Sequence, residues 1–407
     1  MICKKKSKIL LLKKLMNSKN NNFNPIVHIA TDEKFIDTAY EIYEDTFPRK
    51  NLFVILTKNE NHEVKYLSKG KEYNFISLDK EYINKIEDLT FEANLIVFHG
   101  MNYHQALIAL NLNKKNKKYL WTVFGAEVYN NTCIYNKAAV GEMTYNSFVF
   151  SLKKWIKDKI RPYYYLFLKG NEEPDEVVKK SLQLMDFAAI LYKEELDKFL
   201  DLGIIKTEIK HIKFTYYPLD KIISKKSSFV NAPNILLGNS ASFSNNHLEA
   251  FEVLKKLDLK SQNIITPLSY GNKKYADKII EIGKRKLGDN LQPLTEFIPL
   301  SEYQKILLGC GIVIMNNYRQ QAVGNVVNAI YLGAKVYLSN KNTLYHYLKR
   351  IGCHVFCIEE DLVPENQIVL DLLSKKQMIE NRNKLAVELS LERNVNELKR
   401  NLSIILN

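Results

Sequence analysis

The sequence predicts an α/β chain built from two Rossmann-like parallel-sheet domains that face each other across a cleft. Three observations carry this expectation. Short, wholly apolar runs alternate with segments of helical periodicity from residue 26 to residue 123, a pattern that parallel βαβ units produce. A second series of the same kind starts at Asn234, and the stretch 215–232 between them fits neither, which puts a junction there. The length agrees: 407 residues suit two or three domains, and a composition 46% hydrophobic leaves each with a core to bury.

In the first series, Ile26 to Ala30, Leu52 to Leu56, Leu95 to Phe98 and Leu120 to Val123 are expected as buried strands. Glu33 to Phe47 and Tyr103 to Leu112 between them carry apolar residues at helical spacing. A lysine- and aromatic-rich segment, 150–170, breaks the alternation, and 171–229 carries no assignable pattern. In the second series Ile235 to Leu237 is a strand and Ser244 an N-cap, with Leu248, Phe251, Leu254 and Leu257 on one helix face. A strand at Ile264-Ile265, a helix from Lys274 to Lys286 and a strand at Glu296 to Ile298 follow. Ser301 is expected to cap a helix through Leu308. Then come strand Ile312 to Met315, helix Ala322 to Leu332 ending at Gly333, strand Lys335 to Leu338, and a charged helix over 375–401. The expected units are a basic leader (1–24), a first domain (25–230), a second domain (231–374) and a C-terminal helix that packs back (375–407).

Composition narrows the function classes. Fifteen Gly and ten Pro exclude collagen-like or Pro-linker organisation. The excess of 59 Lys+Arg over 45 Asp+Glu, net +14, favours anionic partners: nucleotide-sugars, nucleic acid or an acidic membrane face. Five scattered cysteines suit a reducing, cytoplasmic setting. The leader's apolar run, Ile9 to Leu12 between lysines, is too short for a signal peptide, and no stretch reaches the roughly 18 apolar residues of a membrane span, so membrane contact is expected to be peripheral.

In doubly wound sheets, ligands sit beyond the carboxyl ends of strands, where helix N-termini offer unpaired N–H groups. After Leu237 stands Gly238-Asn239-Ser240-Ala241-Ser242, small and hydroxyl-rich. After Met315 stands Asn316-Asn317-Tyr318-Arg319-Gln320-Gln321-Ala322-Val323-Gly324-Asn325, with a guanidinium able to fork onto phosphate oxygens. Two such turns in one domain suggest a diphosphate, although either alone is also the composition of an ordinary helix cap. In the first domain, Phe98-His99-Gly100-Met101-Asn102 and Val123-Phe124-Gly125-Ala126-Glu127-Val128-Tyr129 end neighbouring strands with a polar or titratable residue beside glycine.

Several chemistries lack their motifs. The first strand runs into Ala30-Thr31-Asp32-Glu33 with no G-x-G-x-x-G, and no G-x-x-x-x-G-K-[ST] occurs, which removes the main support for hydride transfer and P-loop chemistry. No D-x-D is present, which argues against a divalent-metal diphosphate clamp; neither a metal nor a cofactor is expected. Cys353-His354-Val355-Phe356-Cys357 has the wrong spacing for a zinc finger and alternates like a buried strand.

Leu120 to Tyr129 resembles the W-x-x-W-G-A-[DE]-L-Y segment of the bacterial N-acetylfucosaminyl (4-acetamido-4,6-dideoxygalactose) transferases, glycosyltransferase family 56. Three further segments are similar in the same order. Asn234 to His247 resembles that family's I-L-V-G-N-S-x-x-x-S-N-x-H, Ile265 to Gly271 its V-P-x-x-Y segment, and Arg319 to Asn325 its A-R-Q-Q-G-I-G-T. The likeness covers about residues 25–130 and 232–362. Phe124 stands in place of the second Trp, Ala322 in place of the first family glycine and Asn325 in place of Thr.

The resemblance implies a GT-B fold, with acceptor bound mainly by the first domain and nucleotide-sugar by the second. It implies transfer of a deoxyamino hexose such as N-acetylfucosamine from a nucleoside-diphosphate donor, thymidine expected, to a lipid-linked or cell-surface glycan precursor, with inversion. In that frame the donor would be held by Gly238, Asn239, Ser240, Tyr270, Tyr303, Arg319, Gln320, Gln321, Gly324 and Asn325. Gly100, Asn102 and Gly125 would face the acceptor, and Glu127, with His99 second, would be the general base. His28, on a core strand, is read as structural. Tyr270 and Tyr303 fit a core role as well as base or sugar packing.

Ser151 to Gly170 interleaves Lys153, Lys154, Lys157, Lys159, Arg161 and Lys169 with Trp155, Ile156, Ile160, Tyr163, Tyr164, Tyr165, Phe167 and Leu168. That composition suits an in-plane interfacial helix on the cytoplasmic face of the inner membrane, and equally an amphipathic helix packed on its own domain. Rival readings are a GT-B transferase using a UDP or GDP donor in capsule or lipopolysaccharide synthesis, and a basic nucleic-acid-binding protein. No nucleic-acid recognition motif supports the last, so nucleic acid is not an expected partner.

Overall fold

The computed structural model describes residues 25–135, 139–222 and 228–406; the leader lies outside these. Within them the chain forms two all-parallel sheets. The first comprises β1 (Ile26–Thr31), β2 (Asn51–Thr57), β3 (Tyr73–Ser77), β4 (Leu95–His99), β5 (Lys118–Thr122), β6 (Phe187–Ile190) and β7 (Lys210–Lys213), in the order β3-β2-β1-β4-β5-β6-β7. The second comprises β8 (Ile235–Leu237), β9 (Ile264–Pro267), β10 (Leu291–Leu294), β11 (Ile312–Met315), β12 (Lys335–Leu338) and β13 (Val355–Cys357), in the order β10-β9-β8-β11-β12-β13. Both orders reverse beside the first strand of their series, between β1 and β4 and between β8 and β11, and such switch points open crevices at the strands' carboxyl ends.

Parallel strands are covered on both faces, which is why the central ones are mostly apolar. On one face of the first sheet the core includes Ile108 of helix α1 (Tyr103–Asn111) and Leu182 of a helix at Pro174–Leu182. On the other, Ile36, Ala39 and Tyr43 of the helix Ile36–Thr46 meet Leu398 and Leu402 of the C-terminal helix Leu391–Leu406. The second sheet is covered by the helices His247–Leu254 and Lys273–Leu287 on one side. Val323–Tyr331, Thr343–Arg350 and Lys375–Glu388 cover the other.

The domains also touch directly. Tyr192 stacks on Tyr347 at 4.8 Å between centroids, Lys213 Nζ lies 2.6 Å from Glu388 Oε1, and the Leu219 amide donates to the Leu389 carbonyl at 2.8 Å. An excursion of the first domain reaches the second: the Gly141 amide donates to Asn246 Oδ1 (2.8 Å), the Thr144 hydroxyl and amide to Glu249, and Phe148 lies edge-on to Tyr275.

The structure corrects several local expectations. The helix after β8 starts at His247, not at a Ser244 cap: Ser244 lies in a 3-10 turn, and Asn246, in the left-handed region at φ 49°, turns the chain into the helix. Asn tolerates that region better than most residues. Leu257 falls beyond that helix's end. The strand expected at Glu296 to Ile298 is instead β10, containing Pro293. It sits at a sheet edge, where a missing amide is tolerated, while Phe297 points to solvent at 88% exposure. The helix before β11 begins at Leu300 after Pro299, so Ser301 is inside it. The single helix over 375–401 is two, broken at Leu389-Ser390.

The helix α2 (Leu152–Tyr164) is unlike the others. Among its described residues none is buried, and Leu152, Trp155, Ile156, Ile160 and Tyr163 are exposed, as are Leu166, Phe167 and Leu168 just after it. Arg161 ties it down through ion pairs to Glu173 (3.1 Å) and Asp175 (3.0 Å). Among the described residues no helix is long and apolar enough to cross a membrane.

Candidate active site in the interdomain cleft

The carboxyl ends of both sheets open into a shared cavity of about 660 Å³. Its second-domain wall is the turn after β11, running into the helix Val323–Tyr331: Gln320, Gln321, Ala322, Val323, Gly324 and Asn325 all line it, with Asn239 and Tyr303 beside them. Ala322 holds a left-handed φ of 53° as that helix's N-cap residue, so the chain enters the helix by a sharp bend. The helix's first amides therefore have no intrahelical partners, and the positive end of its dipole lies at the cavity wall, where negative charge is favoured.

The two second-domain turns are tied together by amide side chains. Asn317 Nδ2 donates to the Ser244 carbonyl (2.8 Å), Gln321 Nε2 to Asn239 Oδ1 (3.2 Å), and Asn246 Nδ2 to the Asn316 carbonyl (2.7 Å). Asn245 Oδ1 accepts the Asn239 amide at 3.2 Å while its Nδ2 donates to the Ser240 carbonyl at 2.9 Å. Gly238 must be glycine here: its φ is 69°, and a Cβ would lie 2.9 Å from His247 Nε2. This net holds Gly238, Asn239 and Ser240 rigidly beside the Gln321 turn, which is how a site is preorganised for a charged group.

Arg319 points across the cleft. Its guanidinium carbon lies 5.4 Å from the Tyr129 ring centroid of the first domain, and it is attracted by Glu195 and Glu127. Burial pushes its pKa down from the usual arginine range, and those neighbours oppose the shift. Buried Glu195 in turn accepts from Tyr129 Oη (2.6 Å) and from Thr343 of the second domain. A half-buried cation at the domain boundary, between the two sheets, is a natural receptor for an anionic ligand in the cleft.

In the first domain, Glu127 stands in the four-residue helix α3 (Ala126–Tyr129), entered through Gly125 at φ 89°. Its Oε1 accepts from Trp121 Nε1 (2.8 Å) and from the Phe124 amide (2.9 Å), which fixes the carboxylate's orientation. Desolvation by burial is the largest influence on it and raises its pKa, against those hydrogen bonds. A carboxylate so placed is closer to neutrality in its proton affinity than an exposed one.

The sequence-derived residues are placed unevenly. Asn239, Tyr303, Gln320, Gln321, Gly324 and Asn325 come together at the cavity. Gly238 and Ser240 stand in the adjoining turn. Tyr270 does not join them: its side chain is 81% exposed, and only its backbone participates, accepting from the Ala241 amide. His99 is enclosed at 1% exposure, with Nε2 3.0 Å from His28 Nδ1 and Nδ1 2.9 Å from Tyr216 Oη. Burial depresses its pKa to about 3, so it stays neutral; it orients Tyr216, which does line the cavity. Asn102 caps α1, accepting the His104 and Gln105 amides, and Gly100 sits against the Phe124 ring, where a Cβ would come within 2.7 Å. Among the described residues no three His, Cys, Asp or Glu side chains gather where they could hold a metal ion.

Sequence reasoning missed the cavity's first-domain floor: Phe35, Phe214, Tyr216 and Tyr217, with Lys34 and Lys221 at its edge. Tyr217 approaches Gly324 across the cleft, 4.0 Å from where a Cβ would stand. The signal was the Thr215-Tyr216-Tyr217-Pro218 run, which follows a short edge strand, β7, whose polar residues hid it.

The comparisons agree with this geometry. A family model described as 4-alpha-L-fucosyltransferase, glycosyl transferase group 56, matches residues 207–389. Among solved structures, sucrose-phosphate synthase from Thermosynechococcus elongatus is similar with a TM-score of 0.59 at 10% identity, covering 94% of this chain and 99% of that one. A glycosyltransferase from Rickettsia africae is similar with a TM-score of 0.58 at 14% identity, covering 95% and 98%. The Anabaena HepE protein in complex with UDP and glucose gives 0.56 at 10% identity, covering 93% and 99%. At these identities the solved structures speak for the fold alone, and the family match bears on the chemistry: the protein is a glycosyltransferase of GT-B fold whose residues 207–389 are similar to glycosyl transferase group 56.

Proposed function

We propose that the protein moves a deoxyamino hexose such as N-acetylfucosamine from a thymidine-diphosphate donor to a lipid-linked glycan precursor at the cytoplasmic face of the inner membrane, without a metal ion. The observation that carries this reading is the Val323 helix N-terminus and Asn239 lining one interdomain cavity, with Gly238 and Ser240 in the adjoining turn and Arg319, next to the lining residue Gln320, reaching Tyr129 of Glu127's domain. In the reaction, the acceptor hydroxyl gives its proton to Glu127 as its oxygen bonds to the sugar's anomeric carbon. The bond from that carbon to the donor phosphate oxygen breaks, and the electron pair leaves with the nucleoside diphosphate. Arg319 and the amides of Val323 to Asn325 stabilise the charge that develops there. A single base on one face of the sugar suits inversion.

The exposed apolar side chains of α2 and of residues 166–168, with Lys153, Lys157 and Lys159 among them, support peripheral docking on an anionic membrane. A UDP donor is the second reading, favoured by the Anabaena relative whose complex contains UDP. The deciding experiment is a thermal-shift screen against TDP, UDP, GDP, CMP and single-stranded DNA, with and without EDTA. The proposal expects a shift with TDP that EDTA leaves intact and that Arg319→Ala abolishes. A shift with UDP alone moves the donor to uridine, and a shift with DNA alone overturns the transferase site.

A further inference from the structure

A second cavity, of about 500 Å³, lies in the first domain beneath α2, apart from the donor turns. Its walls are rings and acids: Tyr129, Tyr145, Phe150 and Trp155 on one hand, Asp158 and Glu173 on the other. Its volume falls within the range of small-molecule sites.

Three features give it a ligand chemistry. Aromatic rings beside fixed hydrogen-bond acceptors recognise pyranose sugars, whose C–H faces pack on rings while their hydroxyls donate to carboxylates. One acid is held in place: Glu173, 7% exposed, takes Arg161 Nε at 3.1 Å and the Cys133 thiol at 3.8 Å. Third, Tyr129 belongs to this cavity and also carries Arg319 on its ring, and it shares the four-residue helix α3 with Glu127. The cavity thus abuts the catalytic carboxylate's own helix on one side and the exposed apolar helix on the other.

We infer that this cavity is the saccharide subsite of the acceptor: it takes the glycan head of a lipid-linked sugar, whose chain lies along α2. The inference rests on the transferase reading above and adds to it where the acceptor binds. The glycan enters from the membrane-facing side, and its terminal hydroxyl reaches past Tyr129 toward Glu127.

The chain has two tryptophans, Trp121 fully buried and Trp155 half exposed in this cavity, so Trp155 reports occupancy without catalysis. The experiment titrates Trp155 fluorescence, and its protection from acrylamide, with octyl glycosides bearing hexose, N-acetylhexosamine or deoxyhexose heads, below micelle formation. Octyl phosphate supplies the tail without a sugar. Expected is saturable binding of at least one glycoside, absent with octyl phosphate, and weakened at least tenfold by Asn130→Phe. Asn130 is exposed at the cavity wall, and Phe there fills it. No saturable glycoside binding, equal binding of octyl phosphate, or binding unchanged in Asn130→Phe each overturns the subsite. The TDP and UDP thermal shift of the same two proteins is read in parallel. Loss of that shift in wild type overturns the donor reading on its own, and its retention in Asn130→Phe shows that the variant is folded.

Discussion

The turns after β4 and β5 and the turns after β8 and β11 occupy equivalent places at the carboxyl ends of their sheets, yet they are filled with different chemistry. In the first domain the strand ends carry rings, Phe124, Tyr129 and Tyr216, with the carboxylates of Glu127 and Glu195 held beside them. In the second they carry amides and hydroxyls, Asn239, Ser240, Asn245, Asn246, Asn316, Asn317 and Gln321, laced into one net. A ring surface suits a neutral, partly apolar partner whose position is set by packing. An amide net holds backbone N–H groups still, which is what a multiply charged leaving group requires. One doubly wound scaffold thus supplies two unlike half-sites, and the differences can be tested one residue at a time.

The largest effect is expected on the ring side. Glu127→Gln keeps the shape and removes the proposed base, so on that proposal kcat should fall by about 10²- to 10⁴-fold. A base works deprotonated, so if Glu127 fills that proposed role the wild-type rate should rise with pH through a limb displaced above the ordinary glutamate range, because burial raises this pKa. That limb should vanish in Glu127→Gln, and a pH–rate profile checks it. On the amide side, Arg319→Ala should lower kcat by about 10²- to 10³-fold, with Arg319→Lys restoring a part, measured by release of nucleoside diphosphate.

Smaller effects separate the scaffolds from the chemistry. Asn246→Gly keeps the left-handed turn but strands the Gly141 amide and the Asn316 carbonyl, and urea unfolding should lose about 1–3 kcal/mol. Each domain also buries a neutral histidine whose pKa burial depresses to about 3: His99 in the first, His247 in the second. A folded-state pKa below the unfolded value of about 6.5 means that unfolding takes up protons, so stability falls as pH drops below that value. The slope should reach about 1.4 kcal/mol per pH unit per histidine, and His247→Gln should flatten it in part, read from melting curves between pH 7 and pH 4. The smallest change in stability, within about 0.5 kcal/mol, is expected for Phe167→Ser with Leu168→Ser, both exposed. The same pair should weaken sedimentation with anionic vesicles if these residues meet the membrane.

Legibility followed burial. The central strands β1, β4, β8, β11 and β12 are mostly apolar and almost wholly buried, and could be placed from sequence. The edge strands β3, β7 and β10 bury one face or less and carry Asn74, Lys210 or Pro293, so their pattern is diluted. Strand β6, Phe187–Ile190, is half alanine, which suits a helix as well as a strand, so it does not stand out. The turns after β8 and β11 were legible because Gly, Asn and Ser after a strand announce a tight bend. Tyr216 and Tyr217 were not, because nothing local says that a tyrosine pair folds under the opposite domain. His99 misled for a related reason: its place at a strand's end was right, but the aromatic cluster of His28, Tyr43 and Phe53 around it is assembled from three separate elements.

The excursion at Gly141 to Phe148 has a mechanical consequence. The Leu219 amide is hydrogen-bonded to the Leu389 carbonyl where the two domains adjoin, and Gly141, Thr144 and Phe148 bind the second domain at a separate place. Tyr145, Val149 and Phe150, next along the same segment, form a wall of the first-domain cavity beneath α2. A displacement of the second domain relative to the first would load that wall through the same segment, which mechanically links the interdomain cavity to the one beneath α2.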